Sequence, residues 1–146
     1  MKSLNIFDIL SASDKELVHS SMLKYFIDFD IFKSEFLSFL KFKEPKEKLI
    51  TNLEKAENLI IPNEPKKKLR FDLYLTTGND DKPKLIIENK FKAIPYLNQL
   101  INYDKYFESK KITAIHKVLF VLSEEQIPIN IKNYCNQNNW EIRAYH

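Results

Sequence analysis

Two segments, FDLYLTT (71–77) and KLIIENK (84–90), flank the run GNDDKP, and no other stretch constrains the fold of this chain as much. Both segments are rich in β-branched and aromatic residues, and the residues between them are turn formers. Together they predict an antiparallel hairpin with strands over 71–77 and 84–90 and a loop over 78–83. Side chains alternate along a strand, so Asp72, Tyr74 and Thr76 share one face, and Ile86, Glu88 and Lys90 share a face on the next strand. A hairpin symmetric about Asp80 sets Asp72 opposite Glu88. Directly opposed residues have Cβ atoms only about 5 Å apart, and like charges there are destabilising. At about 4 Å, with an effective dielectric near 20, the repulsion is on the order of 4 kcal/mol.

A divalent cation between the two carboxylates turns that repulsion into coordination. Oxygen ligands without His or Cys favour Mg²⁺ or Mn²⁺ over zinc. Lys90, two residues beyond Glu88, projects its ammonium toward the same place. A metal beside a fixed cation suits phosphoester hydrolysis, where negative charge builds on the phosphoryl oxygens and a water must lose a proton near neutral pH. Glu-x-Lys alone is a common tripeptide and reads as an ion pair on an exposed polar face, with Asp72 ending a strand. The aspartate in register is what brings the functional reading forward.

The rest of the chain narrows the setting. At 146 residues, 44% hydrophobic and 29% charged, it has the size and composition of one folded domain, residues 1–146. No apolar run approaches the ~18 residues of a bilayer helix, and Asp8 interrupts the apolar stretch a signal peptide would need. Cys135 is the only cysteine, which excludes an internal disulfide, a cysteine zinc site and a cysteine-held iron–sulfur cluster, and fits a reducing cytoplasm. Gly78 is the only glycine, so no Gly-rich phosphate loop or dinucleotide fingerprint exists. Net charge is only +3, weak evidence for a polyanionic partner. The local run Lys66, Lys67, Lys68 and Arg70, with Lys92 beyond the hairpin, offers a place for a phosphate backbone; as a bare charge run it equally reads as a solvated basic loop.

Ser13-Asp14-Lys15-Glu16 has capping-box spacing, and Leu17, Val18, Met22, Tyr25 and Phe26 follow at helical intervals, predicting a first helix from about residue 14. A second helix is expected over 31–42, with Phe32, Phe36, Phe39 and Leu40 as core, and a third over 46–58 behind Pro45. Leu59-Ile60-Ile61 reads as a short strand, Pro95 opens a helix to about Phe107, and HKVLFVLS (116–123) reads as a buried strand. A helix over 130–138 and a strand over 140–145 complete an α/β chain, a mixed sheet flanked by helices.

These residues resemble the PD-(D/E)XK nuclease superfamily, with Asp72 as the motif aspartate and Glu88-Asn89-Lys90 as its E-x-K. KELVHSSMLKYFID (15–28) is similar to the first-helix signature of the branch annotated simply as PD-(D/E)XK nuclease family proteins, with Glu16 as its helical acidic residue. Gln99-Leu100-Ile101-Asn102-Tyr103 matches the Q-x-x-x-Y element of RecB-like and phage-exonuclease-like members. The resemblance implies a restriction-endonuclease-like αβββαβ core with extra N-terminal helices. It also implies a Mg²⁺- or Mn²⁺-dependent deoxyribonuclease in which Asp72 and Glu88 hold metal, Lys90 orients water, and Glu16 and Gln99 assist. Gln99 would touch the metal water or steady Lys90, and Tyr103, one turn on, would contact a DNA phosphate; Tyr96 and Tyr106 flank them. The bland reading of that helix is a Tyr-rich face packed on the sheet. Glu16 is also the capping-box glutamate, and a lone His19 reads as structural.

Two departures bear on this. Phe71 replaces the proline of the motif name, which leaves the chemistry intact, and cluster-bearing relatives need four cysteines. Relatives in this branch often carry further C-terminal sequence, so the resemblance implies either a minimal or a shortened member. With no added reader module, cleavage is expected to be weakly sequence-selective. RNA instead of DNA, a homodimer or a protein partner, and a non-catalytic binding or assembly module that keeps the nuclease fold stay open.

Overall fold

A computed structural model describes residues 16–78, 80–90 and 94–145, with Glu16 by its backbone alone. Two helices come first, α1 (Glu16–Asp28) and α2 (Asp30–Phe39), then three strands, β1 (Leu49–Leu59), β2 (Lys67–Thr77) and β3 (Asp80–Lys90). Helix α3 (Leu97–Ser109), strand β4 (His116–Val121), helix α4 (Ile129–Gln137) and strand β5 (Trp140–Ala144) follow. The strands form one sheet in the order β1-β2-β3-β4-β5. β1, β2 and β3 pair antiparallel, whereas β3–β4 and β4–β5 are parallel, so the sheet is mixed. This is the α/β architecture expected of a restriction-endonuclease-like core. No helix among the described residues is long and apolar enough to cross a membrane.

Each face of the sheet carries its own core. On one side, Leu23, Ile27 and Leu37 of α1 and α2 pack on Leu73, Leu75, Leu85, Ile87 and Val118. On the other, Leu100, Tyr103 and Phe107 of α3 and Ile131 and Cys135 of α4 pack on Phe71, Tyr74, Ile86, Leu119 and Trp140. Burial on both faces is why β3 and β4 read as nearly continuous apolar runs.

Phe32 and Phe39 of α2, expected in the core, are exposed, while Leu40 is buried and Phe36 packs against the α1-side core; three expectations about the strands also need correction. The helix expected over 46–58 is strand β1. Leu49, Leu53 and Leu59 and the helix formers Glu54, Lys55, Ala56 and Glu57 imitate a helical pattern, but pairing with β2 from Leu49↔Thr77 to Leu59↔Lys67 wins over local propensity. The separate strand at 59–61 does not exist: Leu59 ends β1, and Ile60 and Ile61 follow it outside any strand. The hairpin loop is shorter than 78–83, because β3 begins at Asp80. Pro83 is tolerated inside β3 because pairing with β4 starts only at Leu85 and the β2 register shifts between Leu75 and Thr77. Of the proposed capping box, Ser13, Asp14 and Lys15 lie outside the described residues.

Candidate active site

The hairpin register agrees with the expected symmetry in its central part, pairing Leu73 with Ile87, Tyr74 with Ile86 and Leu75 with Leu85. At Asp72 the regular pattern breaks. Leu69 and Phe71 face the α3 side of the sheet, but Leu73 and Leu75 face the α1 side, so the alternation of β2 reverses around Asp72. On β1, Glu54 takes a positive φ of 55° between the pairs Leu53↔Leu73 and Lys55↔Phe71, opposite Asp72. A left-handed non-glycine residue marks a local irregularity of the edge strand, while the pairing on either side keeps its register. The Asp72 carboxylate turns into the seam between strands, where Oδ2 accepts the Asn89 backbone N–H at 2.7 Å.

Glu88, on the α3 face of β3, is only 1% exposed. Its Oε2 accepts the Tyr103 hydroxyl at 2.9 Å, and the Lys90 ammonium stands 2.8 Å from Oε1. Oε1 is itself buried, and that ammonium is the cation it faces. Burial, and then the neighbouring Asp72 carboxylate, push the Glu88 carboxyl up to about 7; Lys90 and Tyr103 pull the other way. Desolvation without full compensation is an unfavourable state for a carboxylate, and it clusters at functional sites.

Helix α3 supplies the support. Tyr103 is 1% exposed and stacks on Phe71 with centroids 4.4 Å apart, and the Arg70 carbonyl also lies within reach of its hydroxyl, sharing that one proton with Glu88. The Gln99 side-chain amide donates to the Tyr103 hydroxyl at 2.9 Å. The chain Gln99–Tyr103–Glu88 holds the glutamate from behind. This corrects the expected role of Tyr103: a buried ring whose hydroxyl is bonded to Arg70 and Glu88 has no face for a phosphate. Tyr106 is buried as well, whereas Tyr96 is 71% exposed at the start of α3.

The remaining candidates are dispersed. Glu16 opens α1, but its side chain lies outside the described residues, as does Lys92. The basic run is not a loop. Lys67, Lys68 and Arg70 lie on β2, where alternation sends Lys67 to Asn102 of α3 and to Glu64, and leaves Lys68 and Arg70 exposed. Arg70 pairs with Glu54; Lys66 is exposed just ahead of the strand. His19 is buried at 6.1 Å from the Tyr145 ring, edge to face.

Sequence reasoning overlooked the centre of the E-x-K motif. Asn89 is fully buried on the α1 face, where its amide donates to Ser20 Oγ at 3.1 Å and its carbonyl oxygen accepts the Tyr145 hydroxyl at 3.2 Å. Asparagine is depleted in strands, and its place after Leu85 and Ile87 on that face was the available signal.

The donor set suits a hard divalent cation. Asp72 and Glu88 present carboxylate oxygens side by side, and Glu88 is buried. Among the described residues no group of three His, Cys, Asp or Glu side chains gathers as a ready-made cage. Mg²⁺ fits such a sparse site, since it keeps several waters and needs only one or two carboxylates.

A family model of the PD-(D/E)XK nuclease superfamily matches residues 4–145. No curated protein and no solved structure matches the chain. The family match spans both halves of the site, Asp72 on β2 and Glu88 and Lys90 on β3, together with the helix that supports them, and the chain belongs to the PD-(D/E)XK nuclease superfamily.

Proposed function

We propose that this chain is a Mg²⁺- or Mn²⁺-dependent nuclease that hydrolyses DNA phosphodiester bonds with little sequence selectivity. The observation that carries the reading is the juxtaposition of Asp72 and the buried Glu88 beside the Lys90 ammonium. Asp72 and Glu88 would hold the cation, which supplies charge neutralisation and a water acidified toward neutral pH. Lys90 has an ammonium fixed by its Glu88 contact and only 11% side-chain exposure. It is suited to orient the attacking water and to offset the charge that grows on the phosphoryl oxygens. Tyr103 and Gln99 keep Glu88 from turning away, and Glu16 is the candidate further acid from α1. Lys66, Lys68 and Arg70, at and before the strand that carries Asp72, are residue types that contact phosphate, and phosphate contacts position a duplex without reading its bases.

The test is incubation of single- and double-stranded DNA, and of RNA, with the protein and Mg²⁺ or Mn²⁺, beside an Asp72→Asn control. Metal-dependent cleavage of DNA that falls about 10³-fold in the variant is the expected outcome. Binding without cleavage by both proteins would favour a non-catalytic module, and cleavage confined to RNA would move the substrate.

A further inference from the structure

Three residues of β3 project in succession toward the α1 face. Leu85 and Ile87 are apolar and join the core there, but the third, Asn89, is a fully buried amide. A buried amide is unfavourable unless it is bonded, and an apolar side chain at the same place gives comparable stability with no such demand. Its presence calls for another explanation, and its bonds supply one. The backbone N–H of Asn89 holds the Asp72 carboxylate at 2.7 Å, its side-chain amide holds Ser20 of α1 at 3.1 Å, and its carbonyl oxygen holds the Tyr145 hydroxyl at 3.2 Å. Tyr145 is itself pinned, with its backbone N–H on the Val121 carbonyl at 3.0 Å and its ring against Phe120. One residue thus ties β2, α1 and the end of the β5 segment together, and its two chain neighbours are Glu88 and Lys90.

We infer that Asn89 is a positioning residue: its ties to Asp72, Ser20 and Tyr145 set the rotation of β3 that aims Glu88 and Lys90 at Asp72. This rests on the nuclease reading and deepens it, because it makes α1 and the segment after β5 part of the scaffold of the site. Strand alternation is the lever. Holding the middle residue to the α1 face fixes its neighbours on the opposite face, and outer partners of this kind change metal affinity or activity by about 10–100-fold when removed.

The experiment compares the wild-type protein with Asn89→Leu and with the triple variant Asn89→Leu, Ser20→Ala, Tyr145→Phe, in which the amide and its partners Ser20 and Tyr145 become apolar together. Three quantities are read: melting temperature, Mn²⁺ affinity by electron paramagnetic resonance without DNA, and kcat and KM for DNA cleavage. Asn89→Leu is expected to weaken Mn²⁺ binding and lower kcat by about 10-fold or more, with KM within about twofold. The triple variant is expected to regain the melting temperature, because apolar replacement of a whole hydrogen-bonded set is nearly neutral, without regaining Mn²⁺ affinity or kcat. A triple variant that binds Mn²⁺ and turns over like the wild type would overturn the inference and leave Asn89 a structural residue. Wild-type protein that binds Mn²⁺ but cuts no DNA would sink the nuclease reading alone, since the Mn²⁺ affinities still decide the role of Asn89. Wild-type protein that binds no Mn²⁺ would overturn both.

Discussion

Two acid–lysine pairs lie between α3 and the sheet of this molecule, and they differ in what surrounds the acid. Asp104 of α3 accepts the Lys117 ammonium at 2.6 Å on one oxygen, and the Tyr134 hydroxyl at 2.6 Å and the Trp140 indole N–H at 3.0 Å on the other. Lys117 in turn donates to the Asn138 carbonyl at 2.6 Å and lies 5.3 Å from the Trp140 ring centroid. Here donors meet acceptors on every side, and the cluster stitches α3, β4, α4 and β5 into one unit. Around Glu88 the setting differs: a second carboxylate, Asp72, stands beside it and helps push its carboxyl up. A cavity of about 260 Å³ opens beside Asp104 and Lys117, so concavity does not separate a functional cluster from a structural one. The second carboxylate does, because a cation has most to gain where two carboxylates stand together.

The largest test of that contrast is to break each pair. Asp104→Ala leaves Lys117 buried without its carboxylate and should destabilise the fold by about 3 kcal/mol, measured by urea unfolding; the same change at Asp72 should spare stability and remove cleavage. Equal destabilisation at both positions would erase the distinction. The next effect has the opposite sign. The Glu88 carboxyl is raised from 4.5 to about 7 in the folded protein. Its protonated form therefore favours the fold, fully below about pH 4.5, and that advantage is gone once the pH passes about 7. Glu88→Gln, which is neutral throughout, should stabilise the chelated protein by about 2 kcal/mol at pH 8 and by little at pH 4.5. In the same way Mn²⁺ affinity of the wild type should rise as the pH climbs through about 7, since the cation competes with the proton held against Asp72, Lys90 and Tyr103.

What the sequence made legible follows the same division. The hairpin, its central register, and Asp72, Glu88 and Lys90 as neighbours were all readable, because strand period and turn chemistry are local signals. Strand β1 was not, since Glu54, Lys55, Ala56 and Glu57 favour helix locally and only pairing with β2 makes them extended. The same non-local pairing hides the left-handed Glu54 and the reversal around Asp72 that turns its carboxylate to Asn89. Gln99 and Tyr103 stood out through the resemblance to the Q-x-x-x-Y element, but a motif is blind to depth: it could not show that Tyr103 is buried against Phe71 and reaches Glu88, not solvent.

Tyr103→Phe isolates one donor at the Glu88 cluster. The ring and its stack on Phe71 remain, while Glu88 loses a hydrogen bond worth about 1 kcal/mol. Mn²⁺ affinity should fall about fivefold, and the Glu88 midpoint should move further up, because the hydroxyl favours the carboxylate. The matching change Tyr134→Phe at Asp104 should lower stability and leave Mn²⁺ binding untouched; an effect on Mn²⁺ there would join the two clusters into one system.

The smallest effect concerns the basic residues of β2, where two neighbours of one chemical type have opposite surroundings. Lys68 is exposed, and a phosphate that it contacts releases about one counterion, so Lys68→Ala should weaken binding of catalytically dead protein to DNA a few-fold for all sequences alike. It should also reduce the slope of log affinity against log salt by about 1. Lys67 is turned to Asn102 and Glu64 on the other side of the strand, so Lys67→Ala should leave that slope unchanged. Fluorescence anisotropy across a salt series measures both, and it does so apart from the chemistry at Asp72 and Glu88. If Lys67 changed the slope and Lys68 did not, the DNA path would run over the α3 face, and the exposed residues Lys66, Lys68 and Arg70 would lose their place in the proposed interface.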